Sequence, residues 1–193
     1  MVDTIDTVTC KLSARDLQSL CEKYHIDENL GVELPGEDDL ITDNPPGKIG
    51  LYTRLFDFAN FRIPLSRFLL SVLEYFRVHI SQLSCLGAAR ISHFEILCRA
   101  HGGVPTVQLF RKFYCNGINH GWLTFEKRRG GRGVVVPVCY TDGGLDSLKH
   151  WRERFFWVDS VTTRKLWSFH ELSHLLFIGY YSSITIHHFF RSV

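Results

Sequence analysis

The sequence predicts an α+β fold: one helix-dominated domain with a small antiparallel sheet, followed by a divergent C-terminal tail. Two observations carry that prediction. Between Gly47 and Tyr114, apolar residues recur at helical spacing in three consecutive stretches, each with its own start or stop signal. After Gly121 the period changes to two, and β-branched and aromatic residues dominate. At 193 residues, with 45% hydrophobic and 13% aromatic composition, the chain has enough apolar surface for one well-buried core, which excludes a disordered chain.

Taken in order, Ser13 can cap a helix in which Leu17, Leu20, Cys21 and Tyr24 share one face. Residues 27–47 are acidic and rich in Gly and Pro with no apolar period, so they read as a connecting loop. Ile49–Tyr52 and Leu55–Phe58 read as a short helix or extended segment against the core. Pro64 is placed to open a helix at its first turn, and Leu65, Phe68, Leu69, Val72, Leu73, Phe76 and Ile80 then form its buried stripe. Arg67, Ser71, Glu74 and Arg77 take the solvated face. A second helix is expected from about Ser84 to His101, with Ala88, Ile91, Phe94, Leu97 and Cys98 inward and Gly102-Gly103 as its stop. A third starts at Pro105 and runs to Asn116-Gly117.

Trp122–Glu126 and Val134–Tyr140 then read as a hairpin joined by the loop 127–133, with Pro137 making its strand an edge. Asp146 or Ser147 is expected to cap a short helix through Arg154, and Phe155–Val158 reads as a buried strand. Beyond Asp159 the composition changes: Ser160 to Val193 holds one carboxylate side chain, four of the ten histidines, and neither cysteine nor proline. The expected divisions are an N-terminal extension over 1–9, a domain over 10–159 and a tail over 160–193 that does not fold with it.

The net charge of +2 hides a split. Met1 to Gly102 has 10 Lys/Arg against 14 Asp/Glu, and Gly103 to Val193 has 12 against 6, so the second part is the one suited to a polyanion. Its densest point is the loop 127–133, where Lys127, Arg128, Arg129 and Arg132 lie close in sequence to Trp122, Phe125 and Tyr140. Cations supply phosphate affinity and aromatics can stack on bases, so these four residues are the candidate contacts for RNA or DNA. The competing reading is a solvated hairpin tip.

Six scattered cysteines behind an N-terminus without a secretory signal read as reduced thiols in an intracellular protein, nucleus and cytoplasm being equally compatible. No run approaches the ~18 apolar residues of a membrane span, so no membrane partner is expected. His170-Glu171-Leu172-Ser173-His174 matches the HExxH pattern, in which two histidines one helical turn apart bind zinc and the glutamate acts as base. No Asp or Glu follows Glu171 to close such a site, and only His187 and His188 lie downstream. The match therefore reads as incidental, and no metal, no cofactor and no catalytic residue is expected. Zinc hydrolysis through His170, Glu171 and His174 is the alternative. Cys115 and His120 have the spacing of half a zinc knuckle, but Lys112 and Phe125 occupy the places of its other two cysteines.

Several segments together carry a resemblance: GKIGLYTRLFDFANFRIPLS (Gly47 to Ser66), ISQLSCLGAARISHFEILCRAHGGVPTVQLFRKFY (Ile80 to Tyr114), GWLTFEKR (Gly121 to Arg128), PVCYT (Pro137 to Thr141) and LDSLKHWRERFFWVD (Leu145 to Asp159). In that order they resemble the plant family described as "putative gypsy type transposon", or "transposase (putative), gypsy type", over roughly Cys10 to Asp159. The resemblance implies a gag-like, non-catalytic domain of a gypsy-class transposable element, with self-association or weak nucleic-acid contact as its expected role. It supplies no catalytic residues. In relatives the position of Cys85 is usually proline, and the sequence after FFWVD continues differently.

Overall fold

A computed structural model describes residues 3–128 and 148–160. Among the described residues the fold is α+β, with five helices and two separate two-stranded antiparallel sheets. The expected second strand Val134–Tyr140 with Pro137, and the tail from 161 onward, lie outside the described residues.

The first helix, α1 (Ala14–Tyr24), begins where its cap requires: the Ser13 hydroxyl accepts the Asp16 N–H, and His25 closes the other end in the left-handed conformation. The connection that follows is more tightly held than its composition implies. Ile41 is buried, and Glu33 and Trp157 exchange both backbone hydrogen bonds, so this loop reaches the core and covers one sheet edge.

The segment 48–58 divides into β1 (Lys48–Tyr52) and a single helical turn, α2 (Arg54–Asp57). Next, α3 (Arg67–Phe76) starts three residues later than Pro64 suggests. Ser66 is the actual cap, its hydroxyl accepting the Leu69 N–H, and Pro64 sits upstream in a cis peptide. Arg77, left-handed at φ 52, ends the helix, so Ile80 belongs to the following 3₁₀ turn (Ile80–Gln82) while remaining buried. The helix α4 (Cys85–Ala100) is capped by Ser84, which leaves Cys85 at the first helical position. Proline is tolerated there because the first N–H has no intrahelical partner.

The third expected helix is shorter than its sequence pattern. It comprises α5 (Val107–Phe113), and Tyr114 to Asn119 is instead a strand, β2, paired with β3 (Trp122–Lys127). The cause is the turn between them. His120 and Gly121 both have positive φ, 52 and 97, as a two-residue hairpin with the native strand twist demands. A side chain at Gly121 would also collide with that of Ile5. Among the described residues the partner of β3 is therefore β2, and the expected partner Val134–Tyr140 lies outside them.

No helix forms over 148–154. His150 is left-handed there, Trp151 is buried with its ring 5.4 Å from that of Trp122, and the Arg152 guanidinium lies 4.6 Å from the Trp122 ring centre. Stacking on the β3 tryptophan outweighs the local helical signal. Finally β4 (Phe155–Asp159) pairs with β1 in the register Lys48 to Asp159 through Tyr52 to Phe155.

The core forms where the helices and both sheets meet. Phe68, Phe94 and Phe110 bring α3, α4 and α5 together at centroid distances of 5.3 to 6.0 Å, and Phe125 of β3 meets Phe110 edge to face at 4.9 Å. Trp122 donates its indole N–H to the buried Tyr52 hydroxyl at 2.7 Å, which ties the β2–β3 hairpin to β1. Ser81 adds a hydroxyl donated to the Gly50 carbonyl.

A candidate nucleic-acid interface

The cationic loop predicted from sequence begins at the end of β3. Lys127 is its last residue, half-buried, and Arg128 is exposed immediately after it. Arg129 and Arg132 lie outside the described residues. Arg128 is held from two sides: its backbone N–H donates to Phe113 O at 2.8 Å and its Nε to Arg111 O at 2.7 Å. Both acceptors belong to the last turn of α5, whose carbonyls have no partner inside the helix. A guanidinium there also answers the negative end of the helix dipole.

That anchoring brings Arg111 and Lys112 of α5 to the same edge as Lys127 and Arg128. The Arg111 guanidinium carbon lies 4.9 Å from the centre of the Tyr75 ring, and Tyr75, on α3, is 44% exposed. Beside it opens a cleft of about 470 Å³ between α3 and the start of α5, lined among others by Phe68, Ser71, Glu74, Tyr75, Pro105 and Gln108. The site thus has cations, a partly exposed aromatic ring and hydrogen-bonding groups.

Two of the aromatics expected to serve the loop cannot do so. Trp122 and Phe125 are 1% and 0% exposed: they lie on opposite faces of β3, and both faces are covered, Trp122 by Tyr52 and Trp151 and Phe125 by Phe76 and Phe110, while Tyr140 lies outside the described residues. The exposed aromatic ring near the cations in the described structure is Tyr75, against Arg111. A signal for Tyr75 is present in the sequence, since it stands four residues after Ser71 on the solvated face of α3, where a core does not require an aromatic ring.

Burial pushes the Cys85 thiol well up and the Tyr52 phenol up, which keeps both protonated and non-nucleophilic. Among the described residues no group of three His, Cys, Asp or Glu side chains is placed to hold a metal. Cys115 lies near the start of β2 and His120 in the turn after it, five residues on and roughly 16 Å away at about 3.3 Å per residue, too far to share one ion. His170, Glu171 and His174 lie outside the described residues. No disulfide joins the five described cysteines. Among the described residues no helix is long and apolar enough to cross a membrane.

Residues 53–117 match the family described as "Putative gypsy type transposon", which bears out over that span the resemblance read from the motifs. The match takes in α2 to α5 and the first part of β2, including Tyr75, Arg111 and Lys112. No curated protein and no solved structure matches the chain.

Proposed function

We propose, taking the match of residues 53–117 to the gypsy type transposon family as the premise, that this chain is a non-catalytic, gag-like interaction domain of a transposable-element protein. It makes weak, sequence-tolerant contact with RNA or DNA through the edge where α5 meets β3. The observation that supports this most is the double anchoring of Arg128 on Arg111 O and Phe113 O, which gathers Arg111, Lys112, Lys127 and Arg128 on one edge. Point charges held in a row along an edge suit phosphates rather than base edges, so affinity without sequence preference is the expected property.

The test is the salt dependence of binding to an unstructured oligonucleotide. Wild-type protein should bind weakly at low salt and lose affinity steeply as salt rises. Replacing Lys127, Arg128, Arg129 and Arg132 together by Ala should flatten the log–log slope by about 0.7 for each phosphate that is no longer neutralised. Equal binding by wild type and variant at low salt would remove the loop from any nucleic-acid role.

The non-catalytic reading has its own check. Purified protein should carry far less than one equivalent of zinc. Stoichiometric zinc that disappears with His170→Ala and with His174→Ala would overturn it in favour of a zinc hydrolase.

A further inference from the structure

We propose that the cleft between α3 and α5 is a slot for one unpaired nucleobase, which stacks on Tyr75 while the flanking phosphates lie along Arg111, Lys112 and Arg128, so that the ligand is single-stranded nucleic acid. This rests on the nucleic-acid reading above and names the form of the ligand. Tyr75 is exposed on an otherwise polar helix face, yet its ring is already oriented. Arg111 sits 4.9 Å from its centre, and Phe76 packs edge-on against it at 5.0 Å. A ring fixed in this way loses little side-chain freedom when a base stacks on it.

The surroundings fit a base better than a phosphate. Glu74 and Gln108 border the cleft, and a carboxylate there repels an anion but accepts hydrogen bonds from the amino or imino groups of a base. The cations stand at the Arg111 end instead, where the backbone of a strand would continue. A paired base could not enter, because its face is covered by its neighbours in the duplex; only a strand whose bases can turn outward satisfies both the ring and the cations. Base–aromatic stacking tolerates every base, which agrees with a weak, sequence-tolerant binder.

The experiment compares wild type, Tyr75→Phe and Tyr75→Leu on single-stranded DNA, single-stranded RNA and duplex DNA of equal length at low salt, with thermal unfolding of each variant recorded alongside. Stacking is expected to make Tyr75→Leu roughly 5- to 100-fold weaker on single strands, with duplex binding and the salt slope unchanged. Tyr75→Phe should stay within about two-fold of wild type, because the ring rather than the hydroxyl carries the interaction. The RNA and DNA arms identify which strand is preferred. If wild type binds with a clear salt slope and Tyr75→Leu binds single strands equally well, or loses single-strand and duplex binding alike, the slot is overturned and the cationic edge survives. If wild type binds none of the three ligands, both fail.

Discussion

Replacing Phe68 by alanine is expected to cost about 3 to 5 kcal/mol. Phe68 is 4% exposed, and its ring meets Phe94 at 5.4 Å and Phe110 at 6.0 Å, so one residue of α3 is the common neighbour of α4 and α5. Its removal leaves a void between three helices whose own rings are fixed by further aromatic neighbours, so collapse into the space is limited. In a domain of this size the melting temperature should fall by about 10 °C. An unchanged midpoint by calorimetry or circular dichroism would mean that the three helices do not share this core.

Acidification should weaken the fold through His79, which burial pushes down to about 4. Its Nδ1 accepts the Ser81 N–H at 3.3 Å, a role open only to the neutral ring. In the unfolded chain the same imidazole titrates near 6.5. Between these values the unfolded state takes a proton that the folded state refuses, so stability falls as pH drops from about 6.5 toward 4, by about 1.4 kcal/mol per pH unit for this group, and levels off below. Asp16 and Glu153, both held below the usual carboxylate range by hydrogen bonds, add their own losses at more acid pH. Denaturant titrations of wild type and His79→Asn across pH 7 to 4.5 isolate the histidine, since asparagine keeps an acceptor and cannot titrate. Parallel pH profiles for the two proteins would assign the acid sensitivity elsewhere, with His93, also lowered by burial, the next residue to replace.

Much of the helical half was legible because its signals are local. Ser13, Ser84 and the buried stripe of α3 each need only a few neighbouring residues to be read. The exceptions share a cause. At the α5–β2 boundary, Phe113-Tyr114 fits a helix equally well until the His120-Gly121 turn folds β3 back onto the strand. The segment 148–154 has a helical composition, but Trp151 and Arg152 are claimed by Trp122, a residue far away in sequence. For the candidate site the cationic loop was visible as a charge run. Of the aromatics close to the loop in sequence, Trp122 and Phe125 are buried by long-range partners that no local pattern shows, whereas Tyr75 comes near Arg111 only through the packing of α3 against α5.

The pairing of β1 with β4 has a consequence for what the family match delimits. Neither strand lies within residues 53–117, yet they join across Lys48 and Asp159, positions 111 residues apart, and Lys48 also reaches Glu33 and the Gly31 carbonyl. Closing a loop of that length costs roughly 4 kcal/mol of chain entropy. The seam persists because Phe155, Phe156, Trp157 and Val158 are all buried behind it. The recognisable stretch is therefore enclosed by its less recognisable flanks, and a boundary drawn by likeness runs through the middle of a cooperative unit: excised at 53–117, it would lose Tyr52, Trp122, Phe125 and the whole of β4 from its own interior.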